Sequence, residues 1–343
     1  MLKEMNRRIV AGQDLTREQA RECIREMMSG QAGDATMAAF LTAMHMKGET
    51  PEEIAGGVEA MTGLALAFPG RTDGALDTCG TGGDGRETFN VSTASAFVAA
   101  AAGVTVIKHG NRSASGRTGS ADVLEALGIN IGTSPSEGAA LLEETNLVFL
   151  YAPTYHQAMK YAAPVRRELG FRTMFNVLGP LANPAGVQRQ LLGVYSRDLL
   201  PLMAQAIQQL GRTRAMVVHG LEGLDEISIS GPTAVCEVTP EDIQEYVIHP
   251  ENLGLDAYRL EEIPGGDAAQ NARLIEDLFS GRQSGAALDF LLINAGAAIY
   301  VGGRASTLID GVDLARRLIR DGRVEELLND YRKRSQKGQK RCS

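Results

Sequence analysis

Near residue 70 the spacing of the apolar residues changes, and this change restricts the fold more than any single motif. Before it the chain reads as helix throughout. In LTREQARECIREMMSG, Thr16 caps a helix expected to run to Gly30, and TMAAFLTAMHMKG gives a second from about Thr36 to Gly48. In TPEEIAGGVEAM, Thr50 is the N-cap, Pro51 takes the first helical position and Glu53 completes a capping box. Beyond Gly70, short apolar runs alternate with helical segments. GALDT, VTVIKHG, LVFLYAP, RQLLGVY and RAMVVHG read as strands; NVSTASAFVAAAAG, GSADVLEALG, SEGAALLEETN and LLPLMAQAIQQLG read as helices.

Strand followed by helix, repeated, calls for a mainly parallel central sheet covered by helices on both faces. The expected architecture is α/β, with residues 1–70 as a smaller all-helical N-terminal domain and residues 71–343 as a large α/β domain. EISIS, TAVCEV and IQEYVIH lie close together and are expected as antiparallel strands. The helical HQAMKYAAPVRRELG and the turn-rich FNVLGPLANP, near 155–190, are expected to join the smaller domain, making a hinge and a cleft.

Composition narrows the partners. Acidic residues outnumber basic ones 42 to 34, a net charge of -8 that argues against a general nucleic-acid binder and points to small molecules. MLKEMNRRIVAGQDL has no signal-peptide pattern, and the most apolar stretch, GAALDFLLINAGAAIYVGG, carries Asp289 and Asn294 and reads as a buried helix, not a membrane span. Cys23, Cys79, Cys236 and Cys342 lie far apart with no CxxC spacing, as expected of a cytoplasmic protein. Cys79 is either a reactive thiol or a small buried hydrophobe. The basic tail YRKRSQKGQKRCS reads as solvated.

Three segments fall where strands give way to loops, the usual binding edge of an open α/β sheet. DTCGTGGDG (77–85) lets a ligand approach the backbone at Gly80, Gly82 and Gly83, yet carries the acids Asp77 and Asp84. It fits neither a Walker loop nor a dinucleotide fingerprint, and alone it is equally a tight turn. FNVSTASAF puts Asn90, Ser92 and Thr93 at a helix start, where unpaired N–H groups favour an anion, although Ser92 is equally an N-cap. KHGNRSASGRTGS offers Lys108, Arg112 and Arg117 among serines and glycines, which suits an oxyanion better than bare surface does. Farther on, the adjacent Asp225 and Glu226 are either surface charge or the carboxylates that hold Mg²⁺ beside a phosphate.

In this order, GTGGDG, NVSTASAF, KHGNR, GSADVLEALG, FNVLGPLANP and the Asp225-Glu226 pair resemble the anthranilate phosphoribosyltransferase family over nearly the whole chain. Its members join anthranilate to phosphoribosyl pyrophosphate (PRPP) in tryptophan biosynthesis and share the fold of type II nucleoside phosphorylases. The resemblance implies that Gly80, Gly83, Asp84, Thr88, Asn90, Val91, Ser92, Thr93, Lys108, Ser115, Gly116 and Ser120 contact PRPP. It implies that Asn111 and Arg166 bind anthranilate, with Gly80, His109 and His156 around them, and that Ser92, Asp225 and Glu226 hold magnesium, two ions per subunit. Lys108, His109, Asp225 and Glu226 would be the catalytic set, in a cytoplasmic homodimer with no nucleic-acid or membrane partner. Spacing alone does not separate Arg166 from Arg167 as a carboxylate ligand. One departure is visible: in SASGRTGS, Gly116 lacks a hydroxyl, and Arg117 keeps a lysine's charge but not its shape. A pyrimidine nucleoside phosphorylase, and a non-enzymatic relative binding nucleic acid through a basic surface, are the rival readings.

Overall fold

The computed structural model describes residues 1–86, 88–113, 118–263 and 265–336. The chain opens with the helices α1 (Leu2–Val10), α2 (Arg17–Met28), α3 (Asp34–Lys47) and α4 (Pro51–Gly63). Thr16 and Thr50 close reciprocal capping boxes with Gln19 and Glu53, as their spacing requires. α3 starts two residues before the expected Thr36, and α1 is a helix that sequence reading omitted; its buried Leu2, Met5 and Ile9 supply the apolar stripe. α4 lies directly on α2, for a Cβ on Gly56 would sit 2.1 Å from the Arg17 carbonyl oxygen.

Strands follow at β1 (Leu76–Gly80), β2 (Val106–Gly110), β3 (Leu147–Tyr151), β4 (Arg189–Gly193), β5 (Arg214–Gly220), β6 (Thr233–Val238) and β7 (Ile243–Ile248). Among the described residues they form one sheet in the order β3-β2-β1-β4-β5-β6-β7. The first five run parallel, with Asp77 opposite Gln190 and His109 opposite Leu150, and β6 and β7 are antiparallel. The connections leave β1 toward one edge and β4 toward the other, so the sheet has a topological switch point between the ends of these neighbours, where such sheets open a crevice.

EISIS is not a strand. The Ile227 amide donates to Asn294 Oδ1 at 3.0 Å, Asn294 Nδ2 donates to the Ile227 carbonyl at 2.9 Å, and the Ser228 amide donates to Thr233 Oγ1 at 2.9 Å. Side chains thereby take the bonds that a ladder would need.

Period-two alternation divides the sheet between two cores. Met216 and Val218 of β5 face a cluster built on the helices α5 (Val91–Ala101), Ala286–Val301 and Arg323–Ser335. Ala215 and Val217 face the other way, into a cluster shared with the helix Leu199–Gln209 and with α1 to α4. The apolar 286–301 segment is the buried helix expected from an apolar run interrupted by Asp289 and Asn294. The segment near 155–190 forms a 3₁₀ turn, Gln157–Tyr161, and the helices Ala163–Leu169 and Phe175–Leu181, so FNVLGPL is helical in spite of Pro180. Val165, Phe175 and Leu178 bury themselves with the N-terminal helices.

Candidate active site

The crevice at the switch point is where the glycine loop emerges. The Thr81 amide donates to the Gly193 carbonyl at 2.9 Å and the Tyr195 amide to Thr81 Oγ1 at 3.0 Å, which fastens the ends of β1 and β4 together. After β5 the chain doubles back through a bridge between Gly220 and Leu224 and delivers Asp225 into the same crevice. There Asp225 Oδ2 accepts from the Gly82 amide at 2.8 Å, and the Asp225 amide faces Asp84 Oδ2 at 3.5 Å. Such an approach needs glycine on the opposite side. A Cβ on Gly193 would lie 1.6 Å from the Asp225 carbonyl oxygen, and one on Gly80 2.7 Å from its Oδ2. Gly83 adopts a positive φ of 75°, and its carbonyl is held by Arg172, whose guanidinium stacks 3.7 Å from the Tyr195 ring centroid.

α5 begins beside this loop. Asn90 occupies its N-cap position and Ser92 its second turn residue, so Ser92 is not the cap. Lys108, only 3% exposed, reaches up from β2 to donate to the Thr78 carbonyl and, at 3.3 Å, to Ser92 Oγ. Thr93 Oγ1 is buried without a partner among the described residues, Thr88 is half-buried, and the Val91 side chain belongs to the core, which leaves only its backbone for a ligand.

The buried charges differ in how they are met. Asp77 is fully buried, yet accepts from the His109 amide at 3.2 Å and from Asn183 Nδ2 at 2.8 Å, with Lys108 opposing; burial raises it to about 6. Asp225 is raised to about 7, first by burial and then by Asp84, and Glu226 well above its ordinary value by burial and by Asp225. Asp77 thus holds Asn183, at the end of the 155–190 segment, and the backbone of β2. No group of three or more His, Cys, Asp or Glu able to hold a metal occurs among the described residues. Two adjacent hard carboxylates at the crevice, with no lysine or arginine in an ion pair with them among the described residues and only Lys108 opposing Glu226 at longer range, suit an ion completed by ligand oxygens.

The basic loop is partly committed. Arg112 pairs with Asp122 at 2.9 Å and Glu125 at 2.6 Å, while Asn111 Oδ1 accepts from the Arg112 amide at 2.7 Å and the Asn111 carbonyl accepts from Ser120 Oγ at 3.2 Å. Ser115, Gly116 and Arg117 lie outside the described residues. Near the C-terminal end of β2, the His109 and His156 rings meet edge to face with centroids 5.1 Å apart. His156 Nε2 donates to the Ala182 carbonyl at 2.8 Å, and His109 Nε2 is buried without a partner among the described residues. Burial, then His156 and Lys108, push His109 down to about 3.

Arg166 and Arg167 now separate. Arg167 is exposed; Arg166 is half-buried, 5.3 Å from the Phe175 ring centroid, with no carboxylate partner among the described residues. Sequence reading did not single out Asn183, Arg172, Arg212 or Asn271, which are joined to the site only by tertiary contact. Cys79 is a buried thiol whose pKa is raised by burial, which makes it a packing residue, and Cys23 and Cys236 are likewise buried.

Two family models match the chain: the helical bundle domain of a glycosyl transferase family over residues 3–65, and the a/b domain of that family over residues 72–325. The anthranilate phosphoribosyltransferase of Brevibacillus brevis is 49% identical over 332 residues, 97% of each chain. The solved anthranilate phosphoribosyltransferase of Thermus thermophilus superposes with a TM-score of 0.92 at 42% identity, covering 96% of this chain and 98% of that one. The Saccharomyces cerevisiae enzyme, solved in complex with PRPP and Mg, superposes with a TM-score of 0.90 at 27% identity over 97% of each chain. No helix among the described residues is long and apolar enough to cross a membrane.

Proposed function

The chain belongs to the anthranilate phosphoribosyltransferase family, and from that premise we propose how its own residues carry out the transfer of the phosphoribosyl group of PRPP to the amine of anthranilate, in tryptophan biosynthesis. The observation that carries the reading is the meeting, at one switch point, of an acidic pair, a glycine loop and a helix start. Gly80, Gly83, Thr88, the backbone of Asn90 and Val91, Ser92, Thr93, Lys108 and Ser120 contact the diphosphate and ribose phosphate, with Asp84 toward the ribose and metal side; Ser115 and Gly116, outside the described residues, belong to the same set. Ser92, Asp225 and Glu226 would hold Mg²⁺, two ions per subunit, and the bound metal would supply positive charge to the departing pyrophosphate.

The reaction is a single in-line displacement at ribose C1, with inversion, through a transition state resembling an oxocarbenium ion. Catalysis is therefore electrostatic and positional. Lys108 and the amide groups at the start of α5 steady the growing negative charge. Arg166, without a carboxylate partner among the described residues, takes the anthranilate carboxylate from the 155–190 segment. His109, held neutral by burial, is a poor base; its unpaired Nε2 accepts a hydrogen bond from the amine and orients it. Because the helix that carries Arg166 packs against α3 while Lys108 belongs to the sheet, we read 1–70 with 155–190 as a small domain that closes on the 71–343 domain. Exposed Val10 and Met46 on the N-terminal helices support a homodimer, and the buried thiols a cytoplasmic setting.

Loss of anthranilate fluorescence on mixing protein, Mg²⁺, PRPP and anthranilate tests the reading. Absence of turnover by folded protein refutes it, and phosphate-dependent release of base from uridine or thymidine would favour a nucleoside phosphorylase. Arg166→Ala is expected to raise KM for anthranilate by about tenfold or more, with Arg167→Ala near wild type.

A further inference from the structure

Beyond the residues that face the crevice, three separate segments meet in a closed ring of polar contacts. Asn271, in the first turn of the helix Ala268–Phe279 and 3% exposed, accepts from the Gly266 amide through Oδ1 at 2.8 Å and donates through Nδ2 to Asn90 Oδ1 at 3.0 Å. Asn90 Nδ2 donates in turn to the Thr118 carbonyl at 3.0 Å. Thr118 Oγ1 donates to the Gly266 carbonyl at 2.9 Å and closes the ring. The direction of every bond is fixed. A backbone amide at Gly266 can only donate and the Thr118 carbonyl can only accept, so neither carboxamide can be turned over without setting like atoms against each other.

We propose that Asn271 is a positioning residue for PRPP. It locks the Asn90 side chain and, through Thr118, the exit of the basic loop in one arrangement before substrate arrives. The chemistry of the ring explains why Asn90 does not cap α5 although it sits at the N-cap position. Its carboxamide is engaged with Asn271 and Thr118, leaving the amide groups at the helix start to the diphosphate. A rigid cradle of this kind lowers the ordering cost of binding. Asn271 itself touches no substrate, and helix 268–279 supports the site from outside the crevice.

The inference rests on the assignment of Asn90 and the 108–120 loop to PRPP, and the wild-type assay tests that assignment independently. Asn271→Asp keeps the size of the side chain but places a second acceptor opposite Asn90 Oδ1, which breaks the order of the ring. Its KM for PRPP is expected to rise by roughly tenfold, with KM for anthranilate within about twofold of wild type. Thr118→Val, which opens the ring on its other side, should show the same split. The double variant should be less than additive, because one ring is broken in both. Should Asn271→Asp fold poorly, Thr118→Val carries the test alone. Active wild type with an unchanged KM for PRPP in both variants overturns the proposal. Equal rises in both KM values, or a lower melting temperature with an intact KM for PRPP, would make the ring a structural staple only and overturn it as well. A wild type without turnover would instead refute the assignment of PRPP.

Discussion

Asp77 and Asp225 are both buried carboxylates, one inside β1 and one carried into the crevice beside the half-buried Glu226, yet only one of the two sites is complete. Asp77 has an amide of β2, a side-chain amide from Asn183 and the Lys108 cation to meet it. Asp225 has one amide bond from Gly82, and its strongest electrostatic neighbour is Asp84, a like charge; Glu226 is raised by Asp225 in turn. Buried charge persists where it is paired and is costly where it is not. The difference marks Asp77 as part of the frame and the pair as part of the binding chemistry, a distinction that residue type alone does not make.

The largest expected effect breaks the second half of this comparison. Asp225→Asn combined with Glu226→Gln should lower Mg²⁺-dependent turnover by roughly 10²- to 10³-fold, as loss of transition-state electrostatics does. In the ligand-free protein the same change relieves like-charge repulsion, so its melting temperature should rise. Turnover against Mg²⁺ concentration and a thermal scan without ligand check both parts. A fall in both activity and melting temperature would mean that the pair is structural.

Asp77→Asn should do the opposite. It leaves Lys108 and Arg212 without their main opposing charge and turns a donor toward the His109 amide or Asn183, an expected loss of about 3 kcal/mol in urea unfolding. Turnover per folded molecule should fall less than in the acidic-pair variant. A stability change near zero would place Asp77 outside the frame.

Much of this arrangement is legible in the sequence, and the rest fails for identifiable reasons. The capping boxes at Thr16 and Thr50 and the alternation in β5 are local patterns, so they can be read directly. The adjacent carboxylates are visible as a pair, but their unpaired state depends on Asp84, more than a hundred residues away. EISIS has strand composition, and only the distant Asn294 withholds its ladder. Arg166 and Arg167 are equivalent by spacing and are told apart by which one faces Phe175. Asn183 and Asn271 carry no periodic or motif signal, because one carboxamide among turn residues or at a helix start looks like any other until its partners are known.

The smallest effect sharpens the first half of the comparison through pH. Asp77 is raised from 3.8 to about 6, so its contribution to stability is fully present below 3.8 and is lost as pH rises through 6. His109 is lowered from 6.5 to about 3, so its contribution is present above 6.5 and is lost as pH falls toward 3. Between about pH 4 and 6 the two slopes have opposite signs and offset each other in the wild type. Removing one titration should expose the other. Relative to wild type, Asp77→Asn should lose stability faster on acidification, and His109→Gln should lose it more slowly, each by up to about 1 kcal/mol per pH unit. Groups common to all three proteins cancel in that difference. Urea unfolding at half-unit steps of pH measures it, and parallel curves for the two variants would show that Asp77 and His109 do not titrate as members of one settled, buried frame.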